Sequence, residues 1–123
     1  MLEFEDLTGR IIGAAIDVHR TLGPGFLESI YEKALKIAFK KRGIAFENQL
    51  DVRVVYEGEE VGKHELDFFV ENEIVVELKA IKGIEDVHFS IVRSYLTAVK
   101  RTHGLILNFA KTTLEVKRVL KGG

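Results

Sequence analysis

His64 to Ala80, HELDFFVENEIVVELKA, constrains this 123-residue chain more than any other stretch. It reads as two strands, 61–70 and 74–79, joined by a tight turn. Phe68, Phe69, Val70, Ile74, Val75 and Val76 suit a pleated, half-buried surface. Glu71-Asn72-Glu73 is a polar break of the kind that closes hairpins. Side chains alternate faces along a strand, so Glu77 and Lys79 point the same way. Asp67 joins them only if the turn has an odd length. With Glu71 to Glu73 as a three-residue loop, Val70 faces Ile74. Asp67 then lies directly opposite Glu77, with Lys79 one step along the same face.

Two carboxylates side by side in a mostly apolar sheet repel each other. A buried pair stays ionised only beside compensating charge. Lys79 supplies one positive charge, and a divalent cation would supply the rest. Oxygen ligands of this kind suit Mg²⁺ or Mn²⁺. The competing reading is a solvated face with a surface Glu–Lys pair, which contributes little.

Length fits one domain spanning residues 1–123. An apolar fraction of 46% beside 30% charged residues is that of an ordinary soluble globular chain, long enough to bury a core. Cysteine is absent, which excludes disulfides and thiolate metal sites. The first ten residues, MLEFEDLTGR, are too charged for a signal peptide. No apolar run approaches the roughly 20 residues that span a bilayer. The expected location is cytoplasmic. Net charge is −1 but uneven: residues 1–78 hold 16 acidic and 9 basic side chains, residues 79–123 hold 3 and 9. The basic final third suits a phosphate-backbone partner, or simply carries solubilising lysines.

In chain order, a first helix is expected over 6–22, with Leu7, Ile11, Ile12, Ala15, Ile16, His19 and Leu22 at helical spacing. His19 near that face reads as a packed or hydrogen-bonded core residue before a ligand. Gly23-Pro24-Gly25 stops the helix. A second runs over 26–42 on a stripe of Leu27, Ile30, Tyr31, Ala34, Leu35 and Ala38, ending in Lys40-Lys41-Arg42-Gly43. Glu28 lies in its first turn, where the helix dipole favours an acid. It also shares a face with Tyr31, at the border of the core. A strand over 46–56 and a turn at Glu57–Glu60 precede the central hairpin. A third helix over 84–100 and strands over 105–109 and 114–119 complete an α/β sandwich on a mixed sheet.

These residues carry a resemblance. Gly25-Phe26-Leu27-Glu28-Ser29-Ile30-Tyr31 resembles the signature of the GxxExxY protein family, within the PD-(D/E)XK nuclease-like superfamily. Gly43-Ile44, Val61-Gly62, Asp67 with Glu77-Leu78-Lys79, Tyr95-Leu96 and Gly104 to Phe109 continue the match in order. The resemblance implies a restriction-endonuclease-like mixed β-sheet core flanked by three helices. It implies that Asp67, Glu77 and the Leu78 carbonyl bind Mg²⁺, that Lys79 positions or activates the attacking water, and that Glu28 reaches the site from its helix. Two departures stand out. Many relatives carry Gln four residues before the helix tyrosine, where this chain has Ile91. They also tend to carry a basic residue shortly before the aspartate, where this chain has Lys63-His64-Glu65. By alternation Glu65 is expected on the face of Asp67.

The activity so implied is a metal-dependent DNA phosphodiesterase. The alternative is a non-catalytic nucleic-acid-binding or assembly module on the same fold. A homodimer is compatible with both, because a chain this small has little surface for gripping a duplex.

Overall fold

The central hairpin forms with the register its odd loop dictates. In the structure, a computed structural model that describes residues 4–122, Val70 pairs with Ile74, Phe69 with Val75 and Phe68 with Val76. The described elements are α1 (Glu5–Leu22), α2 (Glu28–Lys41), β1 (Phe46–Tyr56), β2 (Glu59–Val70), β3 (Ile74–Lys79), α3 (Asp86–Val99), β4 (His103–Asn108) and β5 (Glu115–Leu120). They follow the order expected from periodicity, with ends displaced by up to two residues. The α2 helix starts at Glu28 and not Phe26, because Tyr31 holds residues 23–26 in a loop.

The sheet order is β1-β2-β3-β4-β5. Only β3 and β4 are parallel, joined through α3, and every other neighbour is antiparallel. The result is the expected α/β fold of restriction-endonuclease type, with three helices on a five-stranded mixed sheet. Alternation along β3 assigns Ile74, Val76 and Leu78 to the core under α1 and α2, where they meet Ile11, Tyr31, Leu35 and Phe39. Val75 faces the other way and packs with Val92, Tyr95 and Leu96 of α3. Strands covered on both sides read as continuous apolar runs, which is the pattern of Ile74–Val76 and Leu105–Leu107.

Gly104 lets α3 lie close to the sheet. A Cβ there would stand 2.8 Å from a methyl of Val92 and 3.3 Å from the Val75 carbonyl. His19 is a buried core residue, its Nε2 2.8 Å from the Lys111 carbonyl. No described helix is long and apolar enough to cross a membrane.

Candidate active site

The site arises where two strands part. The β2–β3 ladder ends at Phe68 and Val76, while β3 continues beside β4 to Lys79. Beyond that point β2 pairs with β1 alone. The bend involves both strands. Gln49 takes φ 56°, and the β1–β2 register passes over it from Asn48–Phe68 to Leu50–Leu66. Leu66 packs on the α3 side and Phe68 on the α1–α2 side, so alternation is interrupted at Asp67. Asn48 pins the bend: its amide donates to the Asp67 carbonyl (2.9 Å) and to the Glu32 carboxylate of α2 (2.8 Å). The Gln49 amide reaches the same Glu32 oxygen at 3.1 Å.

Inside the gap, side chains take over from the ladder. The Leu78 N–H donates to Asp67 Oδ2 at 2.8 Å, and the Asp67 N–H donates to Glu77 Oε1 at 2.8 Å. Asp67 and Glu77 therefore meet, as the odd loop predicts, but by a different route. The Asp67 carboxylate turns into the opening between the strands and does not stand on a flat face. The Leu78 carbonyl lies on the same edge of β3 as its N–H, toward the departing β2. Lys79 is half-buried and by alternation shares the side of Glu77. Glu65 is exposed, since the interrupted alternation separates it from Asp67.

Glu28 reaches this cluster because of the loop that feeds α2. Gly25 takes φ 108°, a conformation that strains any residue with a Cβ. The Tyr31 hydroxyl donates to the Gly23 carbonyl (2.6 Å) and accepts the Phe26 N–H (3.2 Å). Its ring stacks on Phe109, centroids 4.6 Å apart, and the Phe109 N–H donates to the Lys79 carbonyl at 2.8 Å. The Gly25, Glu28 and Tyr31 spacing thus has a mechanical reading: glycine turns the chain, tyrosine fastens the turn to β3, and the glutamate between them is half-buried toward the hairpin. Glu28 is half-buried, and its carboxyl feels the charges of Lys79 and Glu32.

The electrostatics follow from crowding. Burial, and then the Asp67 charge, push Glu77 up to about 8. Burial pushes Asp67 up to about 6, aided by Glu32 and Glu28 and opposed by the Leu78 N–H and Lys79. Glu28 is raised by burial and by Glu32 against the pull of Lys79. Such closely coupled groups titrate as a unit. Tyr95 on α3 is pushed up to about 12 by burial and by the Glu77 and Asp67 charges.

Among the described residues, no three His, Asp or Glu side chains form a ready cation cage. The donor chemistry nevertheless fits a hard divalent ion. Three carboxylates, Glu28, Asp67 and Glu77, share the positive charge of Lys79, and Glu32 adds a fourth nearby. All are oxygen donors, as is the Leu78 carbonyl. Sequence reasoning missed Glu32, although its spacing of four from Glu28 places both on one helix face. It also missed the clamp made by Asn108, which is fully buried beside Lys79. Asn108 Oδ1 accepts from the Ile81 N–H (3.1 Å) and its amide donates to the Ile81 carbonyl (2.9 Å), fixing the chain as it leaves β3.

Residues 5–119 match the family model of the PD-(D/E)XK nuclease superfamily. No curated protein matches the chain. Of solved structures, the chain is similar to the crystal structure of SSO0001, with a TM-score of 0.62 and 13% identity over 98% of this chain. It spans 60% of the length of that structure. At this identity the likeness is one of fold.

Proposed function

The chain belongs to the PD-(D/E)XK nuclease superfamily, and from that membership we propose that it is a Mg²⁺- or Mn²⁺-dependent phosphodiesterase acting on DNA. Within the superfamily we place it with the GxxExxY proteins, through Gly25, Glu28 and Tyr31. Asp67, Glu77 and the Leu78 carbonyl would hold the cation, with Glu28 beside them. A cation bound there neutralises phosphate and lowers the pKa of a coordinated water. Lys79 adds a positive charge where the transition state accumulates negative charge. Asn108, through Ile81, and the Tyr31–Phe109 stack support the strand end and the loop from which Lys79 and Glu28 would act. The basic residues after Lys79 would contact the backbone, so binding is expected to weaken steeply with salt.

The observation that carries this reading is the crowding of the Asp67 and Glu77 carboxyl groups beside Lys79 at the point where β2 leaves β3, which raises both above their ordinary values. The test is cleavage of plasmid and single-stranded DNA with Mg²⁺ or Mn²⁺, comparing wild type with Lys79→Ala. Cleavage by the wild type alone supports the proposal. Absence of cleavage by a folded, metal-loaded sample favours a non-catalytic nucleic-acid-binding or assembly module. Ile91, standing where many relatives have Gln, is the observation on that side.

A further inference from the structure

Past Asp67 the β1 and β2 strands run on together as a two-stranded ribbon. Val52 pairs with His64 and Leu50 with Leu66, and Val52 and Leu66 both pack toward α3. By alternation His64 and Val54 look the same way. The third helix answers with Ile91, Tyr95 and Ala98, and a cleft of about 560 Å³ lies between them. That volume is within the roughly 300–1,000 Å³ of small-ligand sites. Gly62, paired with Val54, leaves the ribbon side open, since a Cβ there would meet nothing.

We propose that this cleft takes an unpaired nucleotide flanking the scissile phosphate, so that the substrate is single-stranded or frayed nucleic acid and not closed duplex. This deepens the phosphodiesterase reading and rests on it. Tyr95 joins the cleft to the carboxylate centre. It is 6% exposed, packs with Leu66 and Val75, and its hydroxyl is 3.4 Å from His64 Nδ1. The exposed His64 ring stands edge-on to Tyr95, centroids 6.2 Å apart, and offers a stacking surface. Apolar walls, with Ser94 and Thr97 among the lining residues and their hydroxyls able to accept a hydrogen bond, suit a flat base with a polar edge. The charge around the cleft argues against a duplex. The ribbon exposes Glu57, Glu59, Glu60 and Glu65, and its two cations are already engaged, Arg53 with Glu60 and Lys63 with Asp51. A second strand across the site would bring its phosphates against this acidic arm. An unpaired strand turns its bases to the cleft and keeps its phosphates at the metal ligands.

The probes are a fluorescently labelled ten-nucleotide DNA strand and its blunt duplex, followed by anisotropy with Ca²⁺ in place of Mg²⁺. The single strand is expected to bind at least tenfold more tightly. Ala98→Trp, from an exposed position on α3, fills the cleft and should weaken single-strand binding at least tenfold without moving the melting temperature or the Mg²⁺ response. Gly62→Phe fills it from the ribbon and should do the same. Equal or tighter duplex binding, or single-strand binding indifferent to both substitutions, overturns the proposal. So does binding of neither probe alongside self-association that Ala98→Trp abolishes, which assigns the cleft to a protein partner. Single-strand preference that responds to both variants, without cleavage in Mg²⁺, supports the cleft and removes only the hydrolase.

Discussion

Raising pH should destabilise the metal-free protein, and Glu77→Gln should abolish most of that loss. Glu77 is 6% exposed and titrates near 8 in the folded chain, against an ordinary value of 4.5. A raised carboxylate pKa means that the folded state holds its proton more tightly than the unfolded state. The stabilisation is complete below the unfolded value and is lost as pH rises through the folded one. At about 1.4 kcal/mol per pKa unit, a shift of this size is worth roughly 5 kcal/mol between pH 4 and pH 9. Unfolding entropy of about 2 cal/mol/K per residue converts each kcal/mol into roughly 4 °C for a chain of this length. The melting temperature in EDTA should therefore fall on the order of 10–20 °C from pH 5 to pH 9. Gln keeps an oxygen to accept the Asp67 N–H but does not titrate. The variant should keep only the smaller pH-dependent loss that comes from Asp67 and should exceed wild type at pH 9. Calorimetric melts in EDTA at four pH values test this. Parallel curves for the two proteins, or a wild type that gains stability toward pH 9, would refute the picture of two buried carboxylates sharing a gap.

Tyr31→Phe keeps the stack on Phe109 but removes both hydrogen bonds to the 23–26 loop. It should cost about 1–3 kcal/mol by chemical denaturation and lower cleavage further, because Glu28 loses its anchor. Unchanged stability would mean that the loop is held by other contacts. Gly104→Ala drives a methyl into Val92 and should destabilise by about 1–3 kcal/mol, seen as a lower denaturation midpoint at constant slope.

The hairpin, its register and both apolar faces were legible in the sequence because periodicity and an odd polar loop leave few arrangements. That Asp67 and Glu77 meet was legible for the same reason, but their expected place on one flat face was not what the strands provide. The parting of β2 from β3 was not. It depends on Gln49 entering the left-handed region and on Asn48 bridging to Glu32, contacts between residues 16 to 19 apart that no local pattern encodes. Glu65 was misplaced through this bend, since the expected alternation assumes an unbroken strand. The α2 helix starts two residues later than its apolar stripe suggests, because the stripe reveals nothing of the Tyr31 hydroxyl that keeps Phe26 in the loop.

The central claim is that Asp67 and Glu77 together hold a divalent cation. Asp67→Asn keeps the shape of the side chain and removes one charge from the cluster. In EDTA the substitution should leave stability unchanged or raise it, because it relieves repulsion with Glu77. Mg²⁺ at a hundredfold excess over its dissociation constant should stabilise the wild type by about 2.7 kcal/mol. The same concentration should stabilise the variant much less. The decisive measurement is the Mg²⁺-induced shift in melting temperature of the two proteins side by side. A large shift for the wild type and a small one for Asp67→Asn is the predicted result, and equal shifts would contradict the account.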